Sequence, residues 1–297
     1  MNQPLVSIVT ITLNRADLIN RCIESIQKQT YTNYEHIIVD GNSDDNTEEV
    51  VRSYNDSHIK YIKLDKRGPE VQMRAGSSIA KGKYITFLDD DDEYLPTKIE
   101  KQVTLFEKQP ADVGLVYCWM TYFRNDSPDI AINVHKTELR GFVGNITPRR
   151  PTVTGTPTLM FRTEVFNEFG GAFDDSIGLL MSDWEFVARV TQKYNVDFVP
   201  ESLVKVYVAH EHAQLTNGFN QEKFLGRIKF HNHFLTQFSD VFSRNPKYAD
   251  YHYSQLASIH AILGQRKSAW NFFKKYLKTE PKLTPSLKTL YHIIFAR

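Results

Sequence analysis

Cysteine is scarce: Cys22 and Cys118 stand far apart in 297 residues, each in an apolar pattern that suits a small buried thiol. A disulfide framework is excluded and a reducing compartment is expected. The opening MNQPLVSIVTITLN lacks a basic stretch and its apolar run has the length of a strand, so neither a signal peptide nor a membrane span is expected. These two absences imply a cytoplasmic protein whose membrane contact, if any, is peripheral. Net charge is nearly absent as well, at +1 from 36 Lys plus Arg against 35 Asp plus Glu, which removes any whole-molecule reason to expect nucleic acid. Neither G-x-G-x-x-G after the first strand nor G-x-x-x-x-G-K-[ST] occurs. A helix N-terminus cradling pyrophosphate is therefore not the main device, which weakens dehydrogenase and P-loop readings together.

What remains is an ordinary globular composition, with 41% hydrophobic and 24% charged residues. The charge is unevenly placed: residues 221–297 carry +9 and residues 1–220 carry −8. Leu5 to Leu13 alternates and is rich in Val, Ile and Thr, which predicts a strand; Leu18, Ile19, Cys22, Ile23 and Ile26 then recur at helical spacing behind Asp17. The rhythm repeats with strands at Tyr34 to Val39, Ile59 to Leu64 and Tyr84 to Leu88, and helices at Thr47 to Tyr54 and Glu70 to Ala80. Such alternation predicts an α/β fold, a mostly parallel sheet covered by helices on both faces, with ligands at the carboxyl ends of its strands. A helix behind Pro96 and a long strand at Val113 to Phe123 follow. Residues 124–158 read as a loop-rich connection that could include a mobile lid, with one possible strand at Ile130 to Val134. Shorter elements reach Val208, including a helix at Ser182 to Tyr194 and strands at Val196 to Val199 and Leu203 to Val208. From Phe219 onward the pattern predicts about four amphipathic helices, with Gly264, Ala269, Phe273, Tyr276 and Pro281 at the offsets of a single tetratricopeptide-like hairpin.

Two acidic segments close strands of the sheet. Asp89-Asp90-Asp91-Asp92 places four carboxylates side by side, an arrangement that costs free energy unless a cation neutralises them. A hard divalent ion holding substrate phosphates does so, and a solvated turn before the next helix is the alternative. Asp40-Gly41-Asn42-Ser43-Asp44-Asp45-Asn46-Thr47 leaves room for a ligand, and a fixed carboxylate there can accept an imide N–H or a ribose hydroxyl; helix capping, by Asp45 above all, is the alternative.

These segments, with Ser7 to Arg15 (SIVTITLNR) and Ala80 to Phe87 (AKGKYITF), resemble the inverting glycosyltransferases of family 2, of the GT-A fold, over about residues 5–210. The resemblance implies a catalytic domain at 1–220, its nucleotide-sugar half at 1–95 and its acceptor half at 96–220, followed by a basic helical region at 221–297. It implies a nucleotide pocket lined by Thr10, Thr12, Asn14 and Arg15, with Asp40 on the base. Asp89 would meet the ribose or the metal and Asp90 the donor. Asp91 would coordinate Mn²⁺ or Mg²⁺ with Asp92 in support, as the D-x-D motif. Arg67 and Arg74 fall in the loop and helix where an Arg-Asn pair is common; here that pair reads Met73-Arg74. Ser182-Asp183-Trp184 resembles the Glu-Asp motif with its first acid replaced, which implies Asp183 as the general base and Trp184 as a surface for the acceptor sugar; helix capping by Asp183 and a buried core place for Trp184 are the alternatives. His210, with His212 beside it, would reach the metal or the diphosphate.

The implied function is metal-dependent, inverting transfer from a nucleotide diphosphate sugar, by family habit a UDP-sugar, to a saccharide or lipid-linked saccharide in surface polysaccharide synthesis. Two other readings stay open at this level: a nucleotidyltransferase acting on a sugar phosphate, which would want a glycine-rich basic loop after the first strand, and a sugar-binding scaffold. For the basic region two roles are open. It meets anionic lipid at the inner face of the cell membrane, or it packs on its own catalytic domain or on a second copy in a homodimer.

Overall fold

The structure is a computed structural model and describes residues 3–153, 155–171, 181–208 and 221–279. Among the described residues nine strands are formed: β1 Val6–Thr12, β2 Tyr34–Asp40, β3 Ile59–Lys63, β4 Tyr84–Phe87, β5 Glu93–Tyr94, β6 Val113–Arg124, β7 Ser127–His135, β8 Met160–Arg162 and β9 Asn195–Val208. The helices between and after them are α1 Ile19–Gln27, α2 Thr47–Ser53, α3 Pro69–Ile79, α4 Lys98–Phe106, α5 Thr163–Glu168, α6 Ser182–Val190, α7 Gln221–Gln237, α8 Ser239–Arg244, α9 Asp250–Ile262 and α10 Arg266–Leu277. The strands share one mixed sheet in the order β3-β2-β1-β4-β8-β6-β9-β5, with β7 paired to β6. The first four strands are parallel neighbours, and β8 reverses direction against both β4 and β6.

Burial on both faces explains the near-continuous apolar reading of β1 and β2. On one face, Ile19 and Ile23 of α1 and Val51 of α2 pack on Ile38 of β2. On the other, α3 approaches so closely that a Cβ on Gly76 would stand 2.6 Å from Val9 Cγ1 and 3.0 Å from Val39 Cγ2. Glycine at that helix position trades propensity for contact.

Two expectations change on inspection. The strands read at Val196 to Val199 and Leu203 to Val208 are one strand, β9, whose pairing with β6 jumps from Val199 opposite Cys118 to Ser202 opposite Trp119 and Val204 opposite Met120. Pro200 cannot donate to a ladder, and it falls with Glu201 in that irregularity, which a sequence pattern reads as a break. The segment expected to be loop-rich after Phe123 begins with β7, which contains the possible strand at Ile130 to Val134, extends it at both ends and folds back on β6 through a turn at Asn125-Asp126.

Among the described residues the chain forms two compact units. The first holds the sheet with α1 to α5 and the last residues of α6. The second combines α7 to α10 with Gly144–Thr152 and the first two turns of α6, so a boundary at 220 does not capture the division. An aromatic cluster recruits those earlier residues: Trp184 and Ala188 of α6 pack with Phe230, Phe234, Phe238, Val241 and Phe242. Helices α9 and α10 pack through Ala257 and Ala261 against Ala269, Phe273 and Tyr276, and Gly264, at φ +73°, ends α9. Small residues on one helix opposite aromatics on the other account for the tetratricopeptide-like spacing as a plain helix pair.

Candidate active site

Register places the site. Thr12 is paired with Asp40 and Val9 with Phe87, so β1, β2 and β4 end at one edge of the sheet, where open α/β sheets bind ligands. Gln72 of α3, which the sequence pattern did not single out, ties two of these ends together. Its buried Nε2 donates to Thr12 O at 2.8 Å and to Val39 O at 3.0 Å. A Cβ on Gly41 would lie 2.7 Å from Gln72 Oε1, so a side chain there would have to push Gln72 off these two carbonyls.

The four acids beyond β4 are not equivalent. A turn from Asp89 O to Asp92 N leaves Asp89 and Asp91 half-buried and turns Asp90 and Asp92 into the protein, at 6% and 3% exposure. Burial pushes the Asp90 carboxyl up to about 7, with Arg15 opposing and Asp91 adding to the rise. Burial, then Asp91 and Asp89, raises Asp92, whose Oδ1 accepts from Tyr207 N at 3.0 Å. Asp90, expected to contact the donor, faces Arg15 instead: charge repulsion between neighbouring carboxylates alternates them about the turn.

Arg15 is the counter-ion of this turn. Its Nη1 lies 2.8 Å from Asp91 Oδ2 and 3.3 Å from Asp90 Oδ1. Burial depresses the guanidinium, but Asp90 and Asp91 outweigh it and hold its pKa above the ordinary value. Asn14, at φ +54°, makes the sharp exit from β1; its N–H donates to Ser43 Oγ and its Oδ1 accepts from Asp44 N. Arg15 N donates to Thr47 Oγ1, and Asp45 accepts from Thr47 N, Thr47 Oγ1 and Ala16 N. The β1 and β2 loops are thus laced into one rim.

Thr12 lies at that rim, buried, where its hydroxyl interacts with the Asp90 carboxylate and favours its ionised form. Thr10 does not line the pocket: it is 0% exposed, two residues deeper, with Oγ1 3.0 Å from His36 Nε2 and 3.5 Å from Cys22 Sγ. The period-two geometry of a strand puts it beneath Thr12 on the same face. Asp40 is buried, its Oδ1 accepting from Ser43 N at 2.7 Å and its Oδ2 from Tyr61 OH at 2.5 Å. Arg67 sits at the outer rim, paired with Asp44 and half-exposed. Arg74 turns away: its side chain is 58% exposed and pairs with Glu70 one helical turn back, so the solvated helix face claims it.

One clamp had no signal in the sequence. Arg21 of α1 donates from Nη1 to Asp91 O at 3.1 Å and from Nη2 to Asn125 Oδ1 at 2.8 Å, and its guanidinium stacks 3.9 Å from the ring centre of Tyr207. Tyr207 N in turn holds Asp92. The acid turn is fixed to α1, the β6–β7 turn and β9 at once.

In the second unit Asp183 opens α6, half-buried, with Oδ1 accepting from Trp184 N. Trp184 is corrected: at 1% exposure its ring stacks on His252 and packs on Phe230, Phe234 and Tyr251, while its Nε1 donates to Thr147 O, so it has no face for a sugar. His252 Nε2 donates to Pro148 O, and its Nδ1 lies 3.0 Å from His231 Nδ1; burial depresses both imidazoles, His252 to about 4. His210 and His212 lie outside the described residues.

Among the described residues no three His, Cys, Asp or Glu side chains form a closed metal cage. The acid turn nevertheless fits a hard divalent ion, which takes one or two carboxylates together with substrate phosphates and water. Arg15 pairs with Asp90 and Asp91, and the acids beside them add to the rise that burial imposes on Asp90 and Asp92.

Known proteins resemble this chain in sequence and in fold. An uncharacterised glycosyltransferase of Methanocaldococcus jannaschii is 28% identical over 237 residues, 77% of this chain and 76% of its own length. The Escherichia coli UDP-Glc:alpha-D-GlcNAc-diphosphoundecaprenol beta-1,3-glucosyltransferase WfaP is 40% identical over 106 residues, 35% of this chain and 42% of that enzyme. In fold, S. aureus TarS 1-349 in complex with UDP superposes with a TM-score of 0.67 at 14% identity, over 97% of this chain and 86% of that one, which identifies the GT-A architecture. The family model described as Glycosyl transferase family 2 matches residues 7–170, more than half of the chain and the stretch that carries the β1 and β2 loops and the acid turn; the chain belongs to that family and is a glycosyltransferase.

Proposed function

We propose that this enzyme transfers a sugar, with inversion, from a UDP-sugar to a saccharide or lipid-linked saccharide acceptor. The observation that carries the reading is the partition of the acid turn. Asp89 and Asp91 stay accessible at the sheet edge while Asp90 and Asp92 serve the fold, the division that a D-x-D motif requires. The choice of UDP and of a lipid-linked acceptor follows the E. coli relative, named for UDP-Glc and a diphosphoundecaprenol-linked GlcNAc.

Asp40 keeps unused lone pairs for the imide N–H of a base, since an ionised carboxylate accepts about four hydrogen bonds. The buried Thr12 hydroxyl and the Asn14 exit supply polar atoms to the rim, and Asp89 is assigned to the ribose. Asp91 and Asp89 would hold Mn²⁺ or Mg²⁺, which when bound offsets negative charge on the departing diphosphate and removes the need for a leaving-group acid. Arg15, paired with Asp91 now, is the side chain that can turn to the diphosphate.

Asp183 is assigned as general base on its motif. It takes the proton of the acceptor hydroxyl as that oxygen attacks the anomeric carbon; the bond to the diphosphate breaks on the opposite face, which inverts the centre. Asp183→Asn abolishes transfer and leaves donor binding nearly intact; retained turnover removes Asp183 from this role. For the donor, thermal shifts are read with UDP and ATP, with and without Mn²⁺. A UDP shift lost on adding chelator is expected, and equal shifts with ATP overturn the reading in favour of nucleotidyl transfer.

A further inference from the structure

We propose that α10 is a docking face for an anionic lipid bilayer. Lys267, Trp270, Lys274 and Leu277 recur at i, i+3, i+7 and i+10, which sets them in one stripe along the helix. The stripe faces outward: Trp270 is 42% and Leu277 49% exposed, and both lysines are exposed. Arg266 and Lys278 flank it, also exposed, while Ala269, Phe273 and Tyr276 on the other side are buried against α9. The helix contains no acidic residue, and among the described residues none of these four cations has a carboxylate partner.

The composition selects the partner. Cations without counter-ions call for an anionic surface. A Trp and a Leu separated by two turns of one helix suit a fluid interface that closes around isolated anchors, where an indole sits at headgroup depth and lysine stems snorkel. A second copy is disfavoured by symmetry, because a two-fold contact would set this cationic stripe against itself. No helix among the described residues is long and apolar enough to cross a membrane. The inference stands on α10 alone and is independent of the identity of the donor.

Flotation of the full chain tests it, with vesicles of phosphatidylcholine alone and of equimolar phosphatidylcholine and phosphatidylglycerol. The wild type is expected to float only with the acidic vesicles and to be released by high salt, because surface attraction fades beyond a Debye length. Each cation near such a surface strengthens binding roughly five-fold, so Lys267→Ala/Lys274→Ala should weaken it by about thirty-fold. Both positions are exposed, so thermal unfolding should not change. Trp270 is the exposed one of three tryptophans, and its emission should shift to the blue with acidic vesicles and fail to do so in Trp270→Phe. The proposal is overturned if recovery is equal with neutral vesicles, or if the double variant floats like the wild type. It also fails if sedimentation shows a dimer that the variants dissolve, or if single-stranded nucleic acid shifts Trp270 where vesicles do not.

Discussion

Lys98 is the sharpest test of the energetics beneath the site. It is 0% exposed; its Nζ donates to Thr86 Oγ1 at 2.6 Å and lies 3.9 Å from the ring centre of Tyr94, whose hydroxyl donates to the carbonyl of Phe87, two residues before the acid turn. Burial lowers the ammonium pKa from 10.5 to about 7. Between those values the unfolded chain binds a proton that the folded chain does not, so stability rises with pH across the window, and below about pH 7 the full cost is present. At about 1.4 kcal/mol for each tenfold in proton affinity, the cost is on the order of 5 kcal/mol, less whatever local relaxation recovers. Lys98→Met keeps the unbranched stem and removes the charge. Denaturant unfolding of both proteins across a pH series should find the variant more stable at about pH 6, with the advantage shrinking steadily toward about pH 10. A difference that does not change with pH refutes the reasoning, as does a variant less stable at about pH 6.

Other consequences are separable. Asp91→Asn should lower kcat/KM on the order of a hundredfold or more while unfolding at an unchanged temperature, measured by steady-state transfer against added Mn²⁺. Arg21→Met should weaken Mn²⁺-dependent UDP binding about tenfold by freeing the Asp91 backbone, and Arg21→Lys should not restore it, because an ammonium cannot hold two acceptors while stacking on Tyr207; titration calorimetry reads both. Gly76→Ala should cost about 1–3 kcal/mol in denaturant unfolding, since the added methyl meets Val9 at 2.6 Å in a packed layer.

The parallel half was legible because each strand and helix there has its own period and its own stop signals. Residues 5–88 could be placed almost element by element, and the acids fell at strand ends where a parallel sheet gathers ligands. Beyond Val113 the sheet turns mixed. Strand β8, only three residues long, carries no period of its own, and the irregularity at Pro200-Glu201 hid the continuity of β9. Within the site, sequence could name four acids but not divide them, because which carboxylate turns inward depends on Arg15 reaching across 75 residues to Asp90 and on Tyr207 reaching across 115 to Asp92. For Trp184 the sequence left a sugar contact and a core position both open, for a related reason. Its partners Phe230, Phe234 and His252 come from helices far along the chain, and nothing next to it in sequence announces a buried ring.

That aromatic cluster changes what the C-terminal helices are. A chain stopped at residue 220 keeps Trp184, Thr147 and Pro148 but loses the rings and the imidazole that cover them. A large indole, normally worth 150–250 Å² of burial, is then left bare on the helix that begins with Asp183. The basic tail is therefore no detachable appendage: cutting it off unseats the footing of the residue assigned as proton acceptor, and a shortened enzyme that lost activity would say nothing about lipid.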